Sequence, residues 1–121
     1  MIVGLGLDLV EVSRVAAALS RHGQRFLARV FNPGEVLRPH DPQHVAGLFA
    51  AKEAALKALG TGWGRGVGFH HVVVAKDHGG KPRLLLLGPA KSLAETLGVQ
   101  HMQVSITHER LFAVAVVIFE G

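Results

Sequence analysis

The run Phe49-Ala50-Ala51-Lys52-Glu53-Ala54-Ala55-Leu56-Lys57-Ala58-Leu59 is built almost wholly from strong helix formers and stops at Gly60-Thr61-Gly62. Alanine gives up no side-chain freedom in a helix, and leucine, lysine and glutamate give up little. With Val45, Leu48, Phe49, Leu56 and Leu59 at helical spacing, the pattern predicts one long helix from about Pro42 to Leu59, with Gly60 as a left-handed C-cap. The rest of the chain must be arranged around that helix.

A chain of 121 residues has room for one domain over 1–121, and a domain of that size buries roughly two thirds of its unfolded surface. The absence of cysteine excludes disulfides, thiolate nucleophiles and Cys-ligated zinc, and makes a reducing cytoplasm the expected location. The longest apolar stretches, such as Leu111 to Phe119, fall far short of the ~20 residues that cross a bilayer, and the start carries no basic n-region. Neither a membrane association nor a signal peptide is expected.

Around the long helix, residues 2 to 7 read as a strand with Val3, Leu5 and Leu7 on one face and Gly4, Gly6 and Asp8 on the other. A helix is predicted from about Leu9 to Ser20, with room for a short one at Arg25 to Val30. After a glycine-rich loop at 60–68, Phe69 to Ala75 and Pro82 to Leu87 read as strands joined by a turn at Asp77-His78-Gly79-Gly80. Pro89 to Leu97 reads as a helix, and Met102 to Thr107 with Leu111 to Phe119 as a final hairpin whose second strand is apolar on both faces. The order β-α-α-β-β-α-β-β predicts an α+β fold, a mainly antiparallel sheet packed on one long helix.

Net charge is +4 with a pI near 10.1, which favours an anionic partner without naming one. Arg14, Arg21, Arg25, Arg29 and Arg38 lie in a stretch whose only acid is Glu35, and Arg14 and Arg21, seven apart, share a helical face. A solvated surface accounts for such a row equally well. A basic nucleic-acid-binding module is the alternative function, although few aromatics interleave the arginines to stack bases.

Glu53 and Lys57 stand four apart on one helix face, so both can reach one ligand; an ordinary surface ion pair has the same spacing. Asp8 closes the apolar opening run and has two open readings. Asp8-Leu9-Val10-Glu11 fits a helix capping box, whereas the glycines beside Asp8 leave space for a hydrated cation and its phosphate. Two distant carboxylates and a lysine suit a magnesium-phosphate site. The eight histidines do not fall into zinc spacing, and there is no GxxxxGK[ST] loop or GxSxG elbow.

Gly4-Leu5-Gly6-Leu7-Asp8-Leu9-Val10-Glu11-Val12, Arg14, the Phe49-to-Gly62 run, Gly80-Lys81-Pro82 and Val104-Ser105-Ile106-Thr107-His108-Glu109 occur in an order that resembles the holo-[acyl-carrier-protein] synthases, the small bacterial 4′-phosphopantetheinyl transferases. The resemblance spans nearly the whole chain. It implies transfer of 4′-phosphopantetheine from coenzyme A to a serine of apo acyl carrier protein, in support of fatty acid biosynthesis. On this resemblance Asp8, Glu53 and Lys57 are catalytic, and Asp8 and Glu53 hold Mg²⁺. Lys57, Gly60, Thr61, Gly62, Lys81, Pro82 and His108 line the coenzyme A site, and Arg14 with Arg21 meets the carrier. The resemblance further implies a homotrimer with active sites at its interfaces. Whether Lys57 or a metal-associated water takes the serine proton stays open.

Overall fold

The computed structural model of the chain describes residues 1–61 and 65–121; Gly62, expected at the coenzyme site, lies outside the described residues. The long helix forms as its composition requires, at Pro42–Leu59 (α3). Asp41 caps it, Oδ1 accepting from the backbone N–H of Gln43 at 3.1 Å and of His44 at 3.3 Å. Gly60 ends it at φ 78° in the left-handed region that glycine enters without strain.

Strands Ile2–Glu11 (β1), His101–His108 (β4) and Phe112–Glu120 (β5) form an antiparallel sheet in the order β1-β5-β4. The predicted last strand is thus the central one. Its Ala113, Ala115, Val117 and Phe119 are fully buried against α3, and Val114, Val116 and Ile118 lie on the other, partly covered face. Val72–Lys76 (β2) and Pro82–Leu86 (β3) make a separate antiparallel hairpin. Helices Val12–His22 (α1), Gln24–Val30 (α2) and Gly88–Leu97 (α4) complete an α+β fold. Among the described residues no helix is long and apolar enough to cross a membrane.

Three expectations are corrected. The first strand does not end at residue 7; it continues to Glu11, because β5 supplies partners along its whole length, Asp8↔Ala115 and Glu11↔Phe112 among them. The following helix therefore starts at Val12, and Asp8 is not its cap: Glu11 stands at that position and makes no side-chain capping bond. Likewise Phe69–His71 is a single 3-10 turn, and β2 begins only at Val72.

The third correction concerns the glycines. Gly4 and Gly6 do not leave room for a cation; they let the α3 backbone touch β1. A Cβ on Gly6 would stand 1.7 Å from the Ala54 carbonyl oxygen, and one on Gly4 2.4 Å from that of Ala58. Ala50, Ala51, Ala54, Ala55 and Ala58 are buried for the same reason. The small residues serve strand-on-helix contact.

Candidate active site

Asp8 sits mid-strand on the face of β1 that meets α3, and Lys57 reaches across to it. Lys57 Nζ donates to Asp8 Oδ1 at 3.0 Å and to the Leu7 carbonyl at 3.0 Å. The lysine is half exposed and the carboxylate mostly covered. The alternative of a surface ion pair between Glu53 and Lys57 is therefore replaced: Lys57 pairs with Asp8, 49 residues away in sequence. Glu53 shares a cavity of about 370 Å³ with Asp8, Arg14, Val15, Phe26 and Phe49. Its carboxyl is held above the usual glutamate range, chiefly by burial, next by the negative charge of Asp8, with Lys57 opposing. Two carboxylates are thus close enough to repel each other.

Such a pair is what a hard dication relieves. Among the described residues no three His, Cys, Asp or Glu side chains converge as a metal cage. Mg²⁺ is usually bound through one or two carboxylates plus substrate phosphates, keeping several waters, and Asp8 with Glu53 fits that requirement.

The other expected coenzyme-site residues fall into two places. Gly60 caps the end of α3, less than one turn beyond Lys57, and Thr61 follows it. His108 ends β4, and its Nδ1 lies 3.0 Å from Gln43 Oε1; it shares a cavity of about 510 Å³ with Pro82, Gly47, Leu48 and Ile106. Lys81 and Pro82 also border a neighbouring cleft with Gln103, Ser105 and Ile106. The cavity of His108 and Pro82 and that of Asp8 and Glu53 have no lining residue in common. His44 and Glu53 are nine residues apart on α3, half a revolution out of phase at 100° per residue. One chain therefore presents two separate cavities.

Arg14 lines the Asp8–Glu53 cavity from the first turn of α1, while Arg21 lies exposed in the last turn and outside that cavity. Two residues escaped the sequence reading. Gln43, which holds His108, carries no sequence signal, being one polar residue in a first helical turn. Phe26 stacks at 6.5 Å on Phe49, which reaches Phe69 at 5.3 Å; Phe49 and Glu53, four apart, were recognisable as one helix face.

The profile of the 4′-phosphopantetheinyl transferase superfamily matches residues 4–117. The chain belongs to this superfamily. Among its 4′-phosphopantetheinyl transferase relatives, the holo-[acyl-carrier-protein] synthase of Solidesulfovibrio magneticus is 54% identical, the match covering 100% of each chain. The synthase of Vibrio campbellii is 47% identical over 99% of this chain and 98% of its own. The fold agrees with the crystal structure of the Neisseria meningitidis synthase at a TM-score of 0.87 and 35% identity, covering 100% of both chains. It also agrees with that of the Helicobacter pylori synthase in complex with coenzyme A at a TM-score of 0.85 and 32% identity, covering 96% of this chain and 99% of the other.

Proposed function

We propose that this 4′-phosphopantetheinyl transferase is a holo-[acyl-carrier-protein] synthase, moving 4′-phosphopantetheine from coenzyme A to a serine hydroxyl of apo acyl carrier protein and releasing adenosine 3′,5′-bisphosphate. The observation that carries this is the full-length identity to synthases of that name, joined to a carboxylate pair in one cleft and a lysine bonded to one of the two. The nucleic-acid alternative leaves that cleft without a purpose, and the relatives give it no support. In the reaction the serine oxygen bonds to the phosphorus that bears the pantetheine arm. The bond from that phosphorus to the bridging oxygen breaks, and the serine proton is lost.

Lys57 is placed to contribute positive charge to the pyrophosphate, where negative charge grows as the bond breaks. Its amine lies against Asp8, so it is also a route for the serine proton. Asp8 and Glu53 would hold Mg²⁺, which when bound neutralises pyrophosphate charge. Gly60 and Thr61, at the end of the helix turn that carries Lys57, would present backbone groups to the same phosphates. Arg14 and Arg21 would meet the acidic carrier, Arg14 next to the carboxylates and Arg21 farther along α1.

The working enzyme is a single domain over 1–121 assembled as a homotrimer in the cytoplasm. One sheet face supports assembly. Leu5, Leu7 and Leu9 project from β1 into solvent, each about 60% exposed, beside the half-covered Val114, Val116 and Ile118 of β5. So broad an apolar sheet face is characteristic of an interface. A neighbouring chain's Lys81, Pro82 and His108 would then face Asp8, Glu53 and Lys57 and unite the two half-sites. The test is to incubate the protein with coenzyme A, Mg²⁺ and apo carrier and read the intact mass of the carrier. A gain of one phosphopantetheine is expected, and an unmodified carrier overturns the reading.

A further inference from the structure

Strand β2 ends at Lys76 and β3 begins at Pro82, the two facing each other in register, so residues 77–81 turn the chain back. Asp77 closes that turn twice over. Its backbone N–H donates to the Lys81 carbonyl at 3.0 Å, and its carbonyl accepts from the Gly80 N–H at 3.0 Å. Two further donors remain inside the turn, the N–H groups of Gly79 and Lys81. One carboxylate oxygen takes both: Asp77 Oδ1 accepts from Gly79 at 2.9 Å and from Lys81 at 3.0 Å. Gly80, at φ 82°, supplies the left-handed step that brings the chain round.

Stability alone gives this arrangement little weight. The side-chain bonds are exposed, so water would satisfy the same donors. What the carboxylate adds is a fixed backbone at Lys81, immediately before a proline whose ring fixes φ. The Lys81 ammonium itself has no hydrogen bond or ion pair among the described residues. The turn therefore holds the main chain of a lysine and leaves its charge uncommitted. That lysine and Pro82 border a cleft walled by Ser105, Val116 and Ile118. Val116 and Ile118 belong to the apolar sheet face proposed as the assembly interface, so Lys81 stands at the margin of that interface.

We infer that Asp77 is a positioning residue of the transfer reaction: by holding the 77–81 turn it delivers Lys81 to coenzyme A bound against a neighbouring chain. The inference rests on the proposed reaction, in which Lys81 of one chain faces Asp8, Glu53 and Lys57 of the next. Asp77 touches no substrate and acts only through Lys81. Its contribution is an acceptor rather than a charge, because Oδ1 takes both bonds and an asparagine carbonyl in its place accepts the same two N–H groups. Without that acceptor Lys81 must be ordered when coenzyme A binds, which weakens affinity and leaves the chemical step alone.

The experiment follows carrier modification at saturating apo carrier and Mg²⁺ over a range of coenzyme A concentrations. It uses the full chain, Asp77→Ala, Asp77→Asn, Lys81→Ala and the Asp77→Ala/Lys81→Ala variant. Asp77→Ala should raise the coenzyme A KM by about 5- to 10-fold with kcat within about twofold, at unchanged melting temperature and sedimentation mass. Asp77→Asn should stay within about twofold of the wild type. Lys81→Ala should raise KM at least as much as Asp77→Ala, and the double variant should be no worse than Lys81→Ala alone, as expected of two residues acting through one group. A normal KM for Asp77→Ala, a fall in its melting temperature or assembly, an asparagine variant as poor as the alanine one, or additive effects in the double variant each overturn the positioning role while the coenzyme A reaction stands. A normal KM for Lys81→Ala overturns the placement of Lys81 at coenzyme A and the role of Asp77 with it. A wild type that leaves the carrier unmodified overturns the proposed reaction itself.

Discussion

Lys52 Nζ and Glu35 Oε1 meet at 2.7 Å with 0% and 1% of their side chains exposed. The ammonium also donates to the carbonyls of Phe69 at 3.1 Å and Val72 at 2.6 Å and lies 5.2 Å from the centre of the Phe31 ring. Glu35 accepts from Asn32 N–H at 3.0 Å and Val74 N–H at 2.7 Å. One ion pair thus ties α3, β2 and the passage before α3 together. Lys52 is the residue next to Glu53, so the same pair fixes the turn of helix that carries the candidate metal ligand.

Lys52→Met should therefore destabilise strongly. It leaves a buried carboxylate uncompensated and two carbonyls unpaired, a loss of about 3–5 kcal/mol for a pair broken on one side. Adding Glu35→Gln to it should recover part of that loss, since the stranded charge is gone. The urea midpoint at unchanged slope measures both. A cost below ~1 kcal/mol for the single change would mean that Glu35 is not left as a buried, unpaired charge.

Gly6→Ala tests the strand-on-helix contact. Its Cβ would lie 1.7 Å from the Ala54 carbonyl oxygen and 2.9 Å from the Ala58 nitrogen, both backbone, so no side-chain adjustment relieves it. The strand must move off α3, carrying Asp8 away from Lys57. Overpacking of this kind costs about 1–3 kcal/mol or more. Melting temperature and transfer rate should fall together; a wild-type rate in the variant would show that the Asp8 position tolerates displacement.

How much of this was legible in the sequence depended on the range of the contact. The long helix, its glycine cap and the terminal hairpin followed from local composition and period. Asp8 was found for its abrupt polarity, yet its capping role failed, because pairing with β5 carried the strand four residues beyond Leu7. Glu35 was visible only as the lone acid among arginines, and nothing local announces a partner 17 residues away. The cavity shared by Arg38, His44 and Lys76 was equally hidden, since only the fold brings residue 76 beside residue 44.

The Glu53 carboxyl is raised in the folded chain by burial and by Asp8. For a group whose folded pKa exceeds its unfolded one, the associated stability is full below the unfolded value of 4.5 and is lost as pH rises through the folded value. Without a divalent cation, stability should accordingly decline as pH climbs above 4.5, and Glu53→Gln should flatten that decline. Mg²⁺ should raise the melting temperature at pH 7 but not below the glutamate range. Asp8→Asn retains an acceptor for Lys57 while removing the repelling charge; it should lessen the decline and reduce kcat by at least ~100-fold. Full turnover of Asp8→Asn at limiting Mg²⁺ would overturn the assignment of Asp8 to a metal.

Carrier recognition makes a separate prediction from α1. Arg14 and Arg21 are both exposed and one face-repeat apart, so they form a strip that begins at the Asp8–Glu53 cavity and leads outward. An acidic carrier approaching that strip is drawn in by charge, and exposed charges are screened over about 8 Å at physiological salt, so carrier affinity should fall as ionic strength rises. Because Arg14 borders two carboxylates, reversing its charge would also disturb the candidate metal site, so the informative variant is Arg14→Gln with Arg21→Glu. Its carrier KM should rise by about 10-fold with coenzyme A affinity nearly unchanged, the separation expected if the arginines serve encounter alone. Titration of both substrates on one preparation checks it. Normal carrier modification by the double variant would reduce the strip to a solvated face, and a parallel loss of coenzyme A affinity would move these arginines into the nucleotide site.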